Sequence, residues 1–218
     1  MKLVSKNSIK NKKVLLTCGP TWIPVDDMRI ISNRSSGEMG QTIALSLAEN
    51  GAKVTLLEGP VIKPLVSKNI KVIKFSFFDE LLELMHQEIN KKYDIIIHAA
   101  AVSDYKCKKK FNMKISSKLK GISLELIPTQ KIITFIKKSC PKTFLVGFKL
   151  ESKMNEKLAV TKTRDLFTRS KCDLVIANSI KSGKYNGYIV DPNNNFIAHK
   201  TSKKEIANAL ISILKDKL

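Results

Sequence analysis

The residues best suited to chemistry lie in a loop of small and polar residues near the start of the chain. Gly19 ends a short apolar run, and Ser35-Ser36-Gly37 stands immediately before an apolar periodicity typical of a helix. A strand that leads through such a loop into a helix presents free backbone N–H groups and the positive end of the helix dipole, which together attract anions. The pattern therefore predicts a phosphate-binding loop at these three residues.

The helix start carries a second signal. Ser35 and Glu38 have the S-x-x-E spacing of a capping box, in which the two side chains satisfy backbone N–H groups of the first turn. We therefore expect a side-chain-capped helix that begins at Met39. The alternative interpretation is that Ser-Ser-Gly only caps a surface helix and binds no ligand.

A second set of small residues follows the isoleucine-rich run Asp94–His98. The run predicts a strand buried on both faces, and Ala99–Tyr105 follows at the carboxyl end, where open α/β sheets bind ligands. We expect His98, at the strand end, to be held by local hydrogen bonds. The alternative is a catalytic histidine, but no nucleophile or metal ligand lies at motif spacing.

The elements that must hold these loops follow from the apolar patterning. Short apolar runs indicate strands, and apolar residues that recur every three to four positions indicate helices. The predicted strands are Lys13–Thr17, Val54–Leu57, Lys71–Phe75, Asp94–His98, Ile122–Leu126, Thr143–Lys149, Asp173–Ala177 and an antiparallel pair, Tyr188–Asp191 with Asn195–Ala198. The predicted helices are Met39–Asn50, Phe78–Asn90, Thr129–Lys138, Met154–Ser170 and Lys203–Lys215.

Strand, helix and strand in succession form a βαβ unit, and such units build parallel sheets. The predicted fold class is therefore α/β: a Rossmann-like, mostly parallel sheet flanked by helices. A Lys-rich, irregular stretch at about 105–126 is predicted to be an inserted flap, either a solvated basic loop or a mobile segment that brings ammonium groups over a triphosphate. We expect residues 1–218 to form one domain, with a frayed basic lead-in at Met1–Asn11.

The amino-acid composition limits the kinds of partner that the protein is expected to bind. Lys and Arg number 39 against 19 Asp and Glu, a net charge of +20, which suits nucleic acid, polyanionic substrates or a solvated Lys-rich surface. Aromatic residues make up only 6%, too few for a base-stacking platform, so we expect no nucleic-acid partner. No apolar stretch reaches the roughly 18 residues of a membrane span, so we expect no membrane association. The four cysteines form no C-x-x-C pair, and we expect a cytoplasmic protein with free thiols in which Cys18 is an apolar filler.

The stretch around the predicted phosphate loop resembles the nucleotide-binding segment of the phosphopantothenoylcysteine synthetase family. That family has a T-x-G-P/G-T turn, a D-x-x-R-x-I-S-N run and S-S-G-x-M-G. The matching residues are Thr17, Gly19, Pro20, Thr21, Asp27, Arg29, Ile31, Ser32, Asn33, Ser35, Ser36, Gly37, Met39 and Gly40. Further matches are A-A-V-x-D-Y at Ala100–Tyr105, Lys114-Ile115, V-G-F at Val146–Phe148 and D-x-V-x-A-N at Asp173–Asn178. Many bacterial members carry a decarboxylase domain in front of this segment. The 218 residues have no room for that domain beside the matched segment, so the resemblance implies a stand-alone synthetase.

This resemblance implies a ligase of coenzyme A biosynthesis that joins 4′-phosphopantothenate to L-cysteine. The phosphopantothenate carboxylate would attack the α-phosphate of CTP or ATP and release pyrophosphate. The cysteine amine would then displace the nucleoside monophosphate from the acyl-nucleotide. Mg²⁺ and cations around the phosphates would assist the first step. The family completes its active site across a dimer, so a homodimer is also implied.

The resemblance also implies roles for single residues. Two are catalytic: Asn33 would hold the acyl centre, and Lys114, on the flap, would stabilise the phosphates. The implied nucleotide-binding residues are Gly19, Ser35, Ser36, Gly37, Met39, Ala100, Ala101, Asp104, Lys114 and Phe148. Arg164, Arg169 and Lys171 lie near the family's phosphate-binding lysines, in poor register. No metal ligand is assigned.

Two departures leave the nucleotide base open. The chain continues with Lys149-Leu150-Glu151 after V-G-F and with Ser116-Ser117 after the flap Lys-Ile pair. Both resemble the animal members, which use ATP, whereas the first motif resembles the bacterial members, which use CTP. On this mixture of motifs we favour CTP.

Functions from two other classes compete with the ligase. A dinucleotide-binding oxidoreductase would share the βαβ start, but the chain has no G-x-G-x-x-G, and Glu58 is the only candidate acidic residue at the end of the second strand. A basic nucleic-acid-binding protein would account for the charge alone.

Overall fold

The computed structural model describes residues 9–218. The predicted lead-in Met1–Asn11 therefore lies mostly outside the described residues. Its last part is packed rather than frayed, because Ile9 is fully buried in the core and Asn11 N donates a hydrogen bond to Gly51 O at 2.8 Å.

The strands and helices follow the predicted order, with three short strands in addition, Trp22–Pro24, Ile30–Ser32 and Tyr105–Cys107. The strands are β1 (Lys13–Cys18), β2 (Trp22–Pro24), β3 (Ile30–Ser32), β4 (Lys53–Glu58), β5 (Ile70–Lys74), β6 (Ile95–His98), β7 (Tyr105–Cys107), β8 (Leu126–Pro128), β9 (Phe144–Leu150), β10 (Leu174–Lys181), β11 (Lys184–Val190) and β12 (Phe196–Lys200). The helices are α1 (Glu38–Glu49), α2 (Phe78–Ile89), α3 (Ile132–Ser139), α4 (Glu156–Ser170) and α5 (Lys203–Lys217).

Eight of the strands form the central sheet, in the order β12-β11-β10-β9-β6-β1-β4-β5. The six strands from β10 to β5 run parallel, and β11 and β12 add an antiparallel edge. The predicted Rossmann-like α/β class is confirmed. The chain leaves β1 towards β4 and later returns to β6 on the other side of β1. A topological switch point therefore lies between β1 and β6, where open sheets form a ligand crevice beyond the carboxyl ends.

Helices cover both faces of the sheet, and the alternation of side chains in β1 shows why. Val14 and Leu16 face a core layer shared with α1 and α5, whereas Leu15 faces the layer shared with α2, α3 and α4. All three side chains are fully buried. A central strand that is apolar on both faces therefore fixes β1 in the middle of the sheet, and its carboxyl end in the crevice.

The structure corrects the prediction of a strand at Ile122–Leu126. Only Leu126 belongs to a strand, since β8 covers Leu126–Pro128 and pairs with β7. The last backbone bond of the pair runs from Lys108 N to Glu125 O at 2.9 Å, and the alternating residues 122–124 lie beyond it because β7 is only three residues long. Strands β7 and β8 are thus the base of the flap, and the segment between them is irregular.

Two further segments differ from prediction. The loop between β1 and α1 is not wholly irregular, because β2 and β3 form an antiparallel hairpin in it. Strand β10 runs past the predicted end at Ala177 to Lys181 and pairs with β11. The β10–β11 pair was not predicted because residues 178–187 are mostly polar. The antiparallel β11–β12 pairing was predicted correctly.

The predicted capping box is wrong. The N-cap of α1 is Gly37, whose backbone is left-handed (φ 72°) and which makes no side-chain cap bond. A capping box needs an extended N-cap residue with a side-chain oxygen. The serines instead accept bonds within the loop, Ser35 Oγ from Gly37 N at 3.3 Å and Ser36 Oγ from Glu38 N at 3.4 Å.

Two predictions, on membrane-spanning segments and on the cysteines, can be compared with the structure of residues 9–218. None of the helices there has both the length and the apolar character that a bilayer crossing requires. The four cysteines are free, and Cys18 is fully buried at the end of β1. Burial raises the pKa of the Cys18 thiol, which agrees with its interpretation as an apolar filler.

Candidate active site

A cavity of about 540 Å³ opens in the crevice beyond the carboxyl ends of the parallel strands. Two segments face each other across it, Asn33–Gly40, which runs into the first turn of α1, and Ala99–Asp104, which follows β6. We call these two segments the cradle and refer to them as its loops. They meet because β1 and β6 are neighbours in the sheet. The end of β9, the β10–β11 hairpin and the start of α5 supply the remaining walls.

Most of the residues implied by the motifs meet in this cavity. Those that line it are Asn33, Ser35, Ser36, Gly37, Met39, Ala100, Ala101, Asp104 and Phe148. Gly19 and Lys114 do not line it.

Gly37 makes the predicted phosphate loop possible. Its left-handed backbone is open to glycine but strained for other residues. A Cβ atom at this position would stand 2.6 Å from Val61 Cγ1, closer than atoms can pack. The loop therefore approaches the cavity as bare backbone, the form that suits contact with phosphate.

Gly19 lies under the cradle rather than in it. A Cβ atom there would stand 3.1 Å from the backbone of Gly59, so the two chain segments touch at this point. The Gly19 carbonyl accepts a hydrogen bond from Ala101 N at 2.8 Å. Gly19 thus supports the second loop of the cradle from below.

Asn33 cross-links the two loops of the cradle. Its Nδ2 group donates to Ala101 O at 3.2 Å and to Val102 O at 3.0 Å. The reverse orientation of the amide would place Oδ1 against two carbonyl oxygens, so the chemistry of these partners fixes its orientation. Both amide hydrogens are engaged, and donation to a substrate oxygen requires that one of these bonds be exchanged.

Buried hydroxyl groups hold the second loop from behind. Thr21 Oγ1 accepts a hydrogen bond from Ser103 N at 3.0 Å, and Thr129 Oγ1 donates to Ser103 O at 2.7 Å. The three side chains are buried. Buried polar groups with their partners satisfied make a unique arrangement rigid, so the loop is held in place before any ligand arrives.

His98 is bonded locally, as predicted. Its Nδ1 lies 2.9 Å from Thr17 Oγ1, which also accepts a hydrogen bond from Ala100 N at 3.2 Å. Burial lowers the pKa of His98 to about 4, so the imidazole is neutral near pH 7. The histidine holds the floor of the cradle and lies directly below Ala100.

A second cavity, of about 340 Å³, adjoins the first and shares walls with it at Ala100, Asp104 and Phe148. The end of β9 and the start of α3 form part of its wall, and one face of α4 also lines it through Lys162 and Arg169. Of the basic residues named from the motif register, Arg169 is therefore at the site, whereas Arg164 and Lys171 are not among the lining residues.

Cations outnumber carboxylates around the two cavities. The cations are Arg34, Lys131, Lys149, Lys162, Arg169 and Lys203, and the carboxylates are Glu38, Asp104 and Asp165. Glu38 is paired with Lys203 and Asp104 with Lys131. Such a positive crevice attracts polyanions.

Two of these cations were not predicted. Lys203 comes from α5 at the far end of the chain and belongs to no motif, so no signal in the sequence pointed to it. Arg34 lies inside the motif but was assigned no role.

Asn178 is a further wall residue that carries a chemical signal. Within residues 9–218, its Oδ1 is a buried oxygen without a hydrogen-bond partner. Its amide interacts with the hydroxyl of Tyr185, which donates to Met39 Sδ at 3.5 Å. A buried acceptor left unpaired is costly and rare, and this oxygen belongs to a residue of the cavity wall although the oxygen itself is shielded from the cavity. The sequence matched Asn178 to a motif but gave it no role.

Lys114 is exposed to solvent on the flap, next to the buried Ile115. The flap also corrects the motif register. The D-x-x-R spacing that ends at Arg29 fits Asp26, which is buried and bonded to both Arg29 and Ile115. Asp27, the residue assigned from the sequence, is exposed and lies 3.4 Å from Lys110.

The carboxylates that line the cavity are the residues there best suited to bind Mg²⁺ directly. Within residues 9–218 there is no group of three or more His, Cys, Asp or Glu that could hold a metal ion. Mg²⁺ is commonly bound by one or two carboxylates together with substrate phosphates rather than by an all-protein cage. Glu38 and Asp104 line the cavity, and each is paired with a lysine, Lys203 and Lys131 respectively, so a metal ion held in that second mode would replace a lysine at these carboxylates.

Fold and crevice together define a Rossmann-like α/β protein whose positively charged crevice lies at the switch point of the sheet. Residues 9–217 match the family model described as DNA/pantothenate metabolism flavoprotein C-terminal domain, and the chain belongs to that family. This confirms the family resemblance drawn from the motifs.

Individual relatives agree with this assignment. The chain is 38% identical over 207 residues to the coenzyme A biosynthesis bifunctional protein CoaBC of Thermococcus kodakarensis, a match that covers 93% of this chain and 51% of the relative. It is 32% identical over 214 residues to the protein of the same name from Borreliella burgdorferi, with 96% and 54% covered. The chain spans about half the length of these relatives.

A solved structure supports the fold. The crystal structure of the DNA/pantothenate metabolism flavoprotein from Streptococcus pneumoniae superposes with a TM-score of 0.85 at 28% identity. The match covers 95% of this chain and 100% of that one.

Proposed function

We propose that this chain is a phosphopantothenate–cysteine ligase that acts in coenzyme A biosynthesis. The observation that carries the proposal is the meeting of Asn33, the bare loop at Gly37 and the Ala100–Asp104 segment in one positively charged crevice. The relatives from Thermococcus and Borreliella, whose names refer to coenzyme A biosynthesis, support it.

The two cavities suggest where the substrates bind. The triphosphate would lie along Ser35–Gly37, at the start of α1, with Arg34 and Lys203 beside it. The base and ribose would occupy the smaller cavity beside Phe148 and Asp104. The phosphopantothenate carboxylate would then lie between the two, near Asn33, where the cradle loops meet. This arrangement places the attacking oxygen next to the α-phosphate, and positioning of this kind is a large part of catalysis in phosphoryl chemistry.

The proposed reaction has two steps. A carboxylate oxygen attacks the α-phosphorus, a P–O bond forms, and pyrophosphate leaves with the electron pair of the bond that breaks. The cysteine amine then attacks the acyl carbon, loses a proton, and expels the nucleoside monophosphate. The residues of the cradle bind and orient the reacting groups, while Lys114 of the flap adds positive charge at the phosphates.

Some cavity groups suit the second step. Asn33 would hold the acyl oxygen by exchanging one of its two cradle bonds. Asn178 Oδ1, which lacks a partner, would accept a hydrogen bond from a substrate amine or hydroxyl if substrate binding uncovers it. Bound Mg²⁺, held by the phosphates with Glu38 and Asp104, would supply charge neutralisation during release of pyrophosphate.

We also propose a homodimer that covers the flap. Six large apolar side chains there are each more than a third exposed: Phe111, Met113, Leu119, Ile122, Leu124 and Leu126. A short segment with this many exposed apolar side chains suits an interaction site, because large exposed apolar surface is unusual on a monomer. A second copy of the chain would bury it.

The nucleotide we propose is CTP, with ATP as the alternative, on the mixture of bacterial-like and animal-like motifs. One assay tests activity and base together. The protein is incubated with Mg²⁺, phosphopantothenate and cysteine, and with either CTP or ATP, and pyrophosphate is measured. We expect pyrophosphate only with the complete mixture and more of it with CTP.

Other results would overturn the proposal. Absence of pyrophosphate with both nucleotides would sink the ligase. A change in nicotinamide absorbance in a dehydrogenase assay would favour the oxidoreductase. Salt-sensitive binding of random RNA without any triphosphate turnover would favour the nucleic-acid-binding protein.

A further inference from the structure

The turn between β2 and β3 contains a buried carboxylate that the proposed mechanism does not use. The Asp26 side chain is fully shielded from solvent. Its Oδ1 accepts hydrogen bonds from Met28 N at 2.8 Å and from Arg29 N at 2.7 Å. These two bonds help to close the turn on the residues that follow Asp26, together with the backbone bond from Val25 N to Arg29 O at 2.9 Å.

The other oxygen reaches a distant part of the chain. Asp26 Oδ2 accepts a hydrogen bond from Ile115 N at 3.0 Å, although the two residues are 89 positions apart. The same oxygen pairs with Arg29 Nη1, which also donates to Ile115 O at 3.2 Å. An aspartate–arginine pair therefore holds both the N–H and the C=O of one flap residue.

The electrostatics agree with this geometry. The hydrogen bond from the Ile115 amide, together with those from Met28 and Arg29, holds the pKa of the Asp26 carboxyl well below its usual range and outweighs the effect of burial. The carboxylate is thus charged at any pH at which the protein works, and the bond to Ile115 is a charge-assisted one.

Ile115 is where the flap is attached. From Lys108 to Leu126 it is the only buried residue. One other backbone bond ties this segment to the same turn, from Phe111 N to Val25 O at 3.0 Å. The direction in which the neighbouring Lys114 leaves the protein therefore depends on how Ile115 is held.

We propose that Asp26 is a positioning residue for the flap: it clamps the Ile115 peptide to the β2–β3 turn and thereby fixes the point from which Lys114 reaches the phosphates. The catalytic half of this proposal rests on the proposed ligase function. The clamp itself is independent of any activity.

The chain offers a matched pair of variants. Asp26→Asn removes the charge and leaves a single acceptor oxygen, so either the turn or Ile115 loses its partner and faces an NH₂ group instead. Asp27→Asn makes the same chemical change one position away, at an exposed residue whose ion pair with Lys110, at 3.4 Å, is itself exposed, and exposed ion pairs contribute little to stability. A stability measurement on both variants shows whether the fold persists.

The first measurement is hydrogen exchange of the flap amides. In Asp26→Asn we expect the Ile115 amide to exchange at least tenfold faster, with unchanged exchange in the central sheet, and we expect Asp27→Asn to match the wild type. Trypsin cleavage after the flap lysines Lys114, Lys118 and Lys120 should accelerate in the same variant only. Wild-type exchange at Ile115 in Asp26→Asn would overturn the clamp.

The second measurement is a double-mutant cycle on the rate of pyrophosphate formation. We expect Asp26→Asn to slow this step about tenfold, with little change in KM, and to add nothing further in a Lys114→Gln background, because both changes remove the same contact. Additive losses would mean that Asp26 acts on stability alone. If wild-type protein forms no pyrophosphate, the ligase proposal and the catalytic half fail together, while the exchange result still decides the clamp.

A second route keeps the test decisive if Asp26→Asn does not fold. Ile115→Pro removes the one N–H group that Asp26 holds in the flap and leaves the bonds to Met28 and Arg29 in place. We expect faster cleavage at the flap lysines and the same non-additivity with Lys114→Gln. A flap as resistant to trypsin as in the wild type would overturn the proposal.

Discussion

The cradle and the flap carry motifs of the same family, but the fold treats them very differently. The cradle loops leave neighbouring parallel strands and are joined to each other by Asn33 and supported by buried hydroxyl groups. The flap between β7 and β8 is exposed along its length except at Ile115. The difference teaches that contacts within the chain itself hold the crevice in place, whereas the flap is anchored at a single buried residue.

This contrast divides the expected effects of substitution. In the proposed mechanism the cradle binds and orients the reacting groups, so changes there should alter affinity and the partition between the two half-reactions. In the same mechanism the flap contributes charge during the reaction, so a change there should alter the rate more than the affinity.

The largest effect is expected at Lys114. Lys114→Gln removes one positive charge at similar side-chain length and, if that charge stabilises pyrophosphate release, should cost roughly 3 kcal/mol of barrier, about a hundredfold or more in rate. The single-turnover rate of pyrophosphate formation measures it. Lys118→Gln, an equally exposed flap lysine outside the motif, is the control and should stay within about twofold of the wild type. A wild-type burst in Lys114→Gln would make this lysine a solvated surface residue.

The next effect concerns the cross-link of the cradle. Asn33→Asp keeps the shape, loses both donor hydrogens and places a negative charge beside the developing oxyanion. We expect transfer to cysteine to slow by roughly 30- to 100-fold, about 2–3 kcal/mol, and activation to suffer less. The variant should release pyrophosphate once per site and accumulate the acyl-nucleotide, which mass spectrometry of a quenched reaction without cysteine detects.

The same variant, Asn33→Asp, also tests whether activation and transfer depend on different residues. Both of its amide hydrogens are already bonded to Ala101 O and Val102 O. If the two half-reactions lose rate equally in Asn33→Asp, the amide serves only to join the cradle loops. The division into a transfer role and an activation role would then fail.

The fold was predictable where one-dimensional patterns carry the information. The apolar run of β6 and the periodicity of α1 gave both elements within a residue or two of their bounds. The β2–β3 and β7–β8 pairs were missed because three-residue strands in polar surroundings are too short to show a period. The strand predicted at Ile122–Leu126 shows the converse, since alternation without a partner strand makes no sheet.

The residues of the candidate site also fall into a predictable group and an unpredictable one. Residues within one motif, such as Ser36 and Gly37, could be placed because a single loop carries them. Lys203, Lys162 and Asn178 come from other elements, and only the tertiary fold brings them to the crevice. Asp26 was missed by a slip of one register position, and its burial, which no local pattern displays, identifies it.

A third prediction concerns the floor of the cradle and uses pH. The pKa of His98 falls from 6.5 to about 4 on folding because of burial. Between these values the unfolded chain binds a proton that the folded chain excludes. This contribution to stability is therefore complete above pH 6.5 and is lost as the pH falls towards 4. From pH 7 to pH 5 the loss is about 2 kcal/mol in the free energy of unfolding.

Denaturant titrations at the two pH values measure that loss. His98→Gln keeps a hydrogen-bonding group near Thr17 but cannot take up the proton, so most of this pH dependence should vanish. His86→Gln, at an exposed histidine, is the control and should keep the wild-type dependence. An unchanged dependence in His98→Gln would show that the floor does not exclude the proton.

The smallest effect separates backbone approach from packing at Gly37. Gly37→Ala introduces a Cβ atom 2.6 Å from Val61 Cγ1 on a backbone with φ 72°, so the variant should lose about 1–2 kcal/mol of stability and, if the loop cradles phosphate, about tenfold in triphosphate affinity. Val61→Ala removes the opposing methyl groups without touching the loop and should bind the triphosphate as the wild type does. The double variant decides the cause, because it relieves the collision but keeps the new Cβ atom at the phosphate loop. We expect it to recover part of the stability and none of the affinity in a nucleotide titration. Affinity that returns together with stability would mean that Gly37 matters only for packing against Val61, and an affinity unchanged in all three variants would remove this loop from the phosphate site.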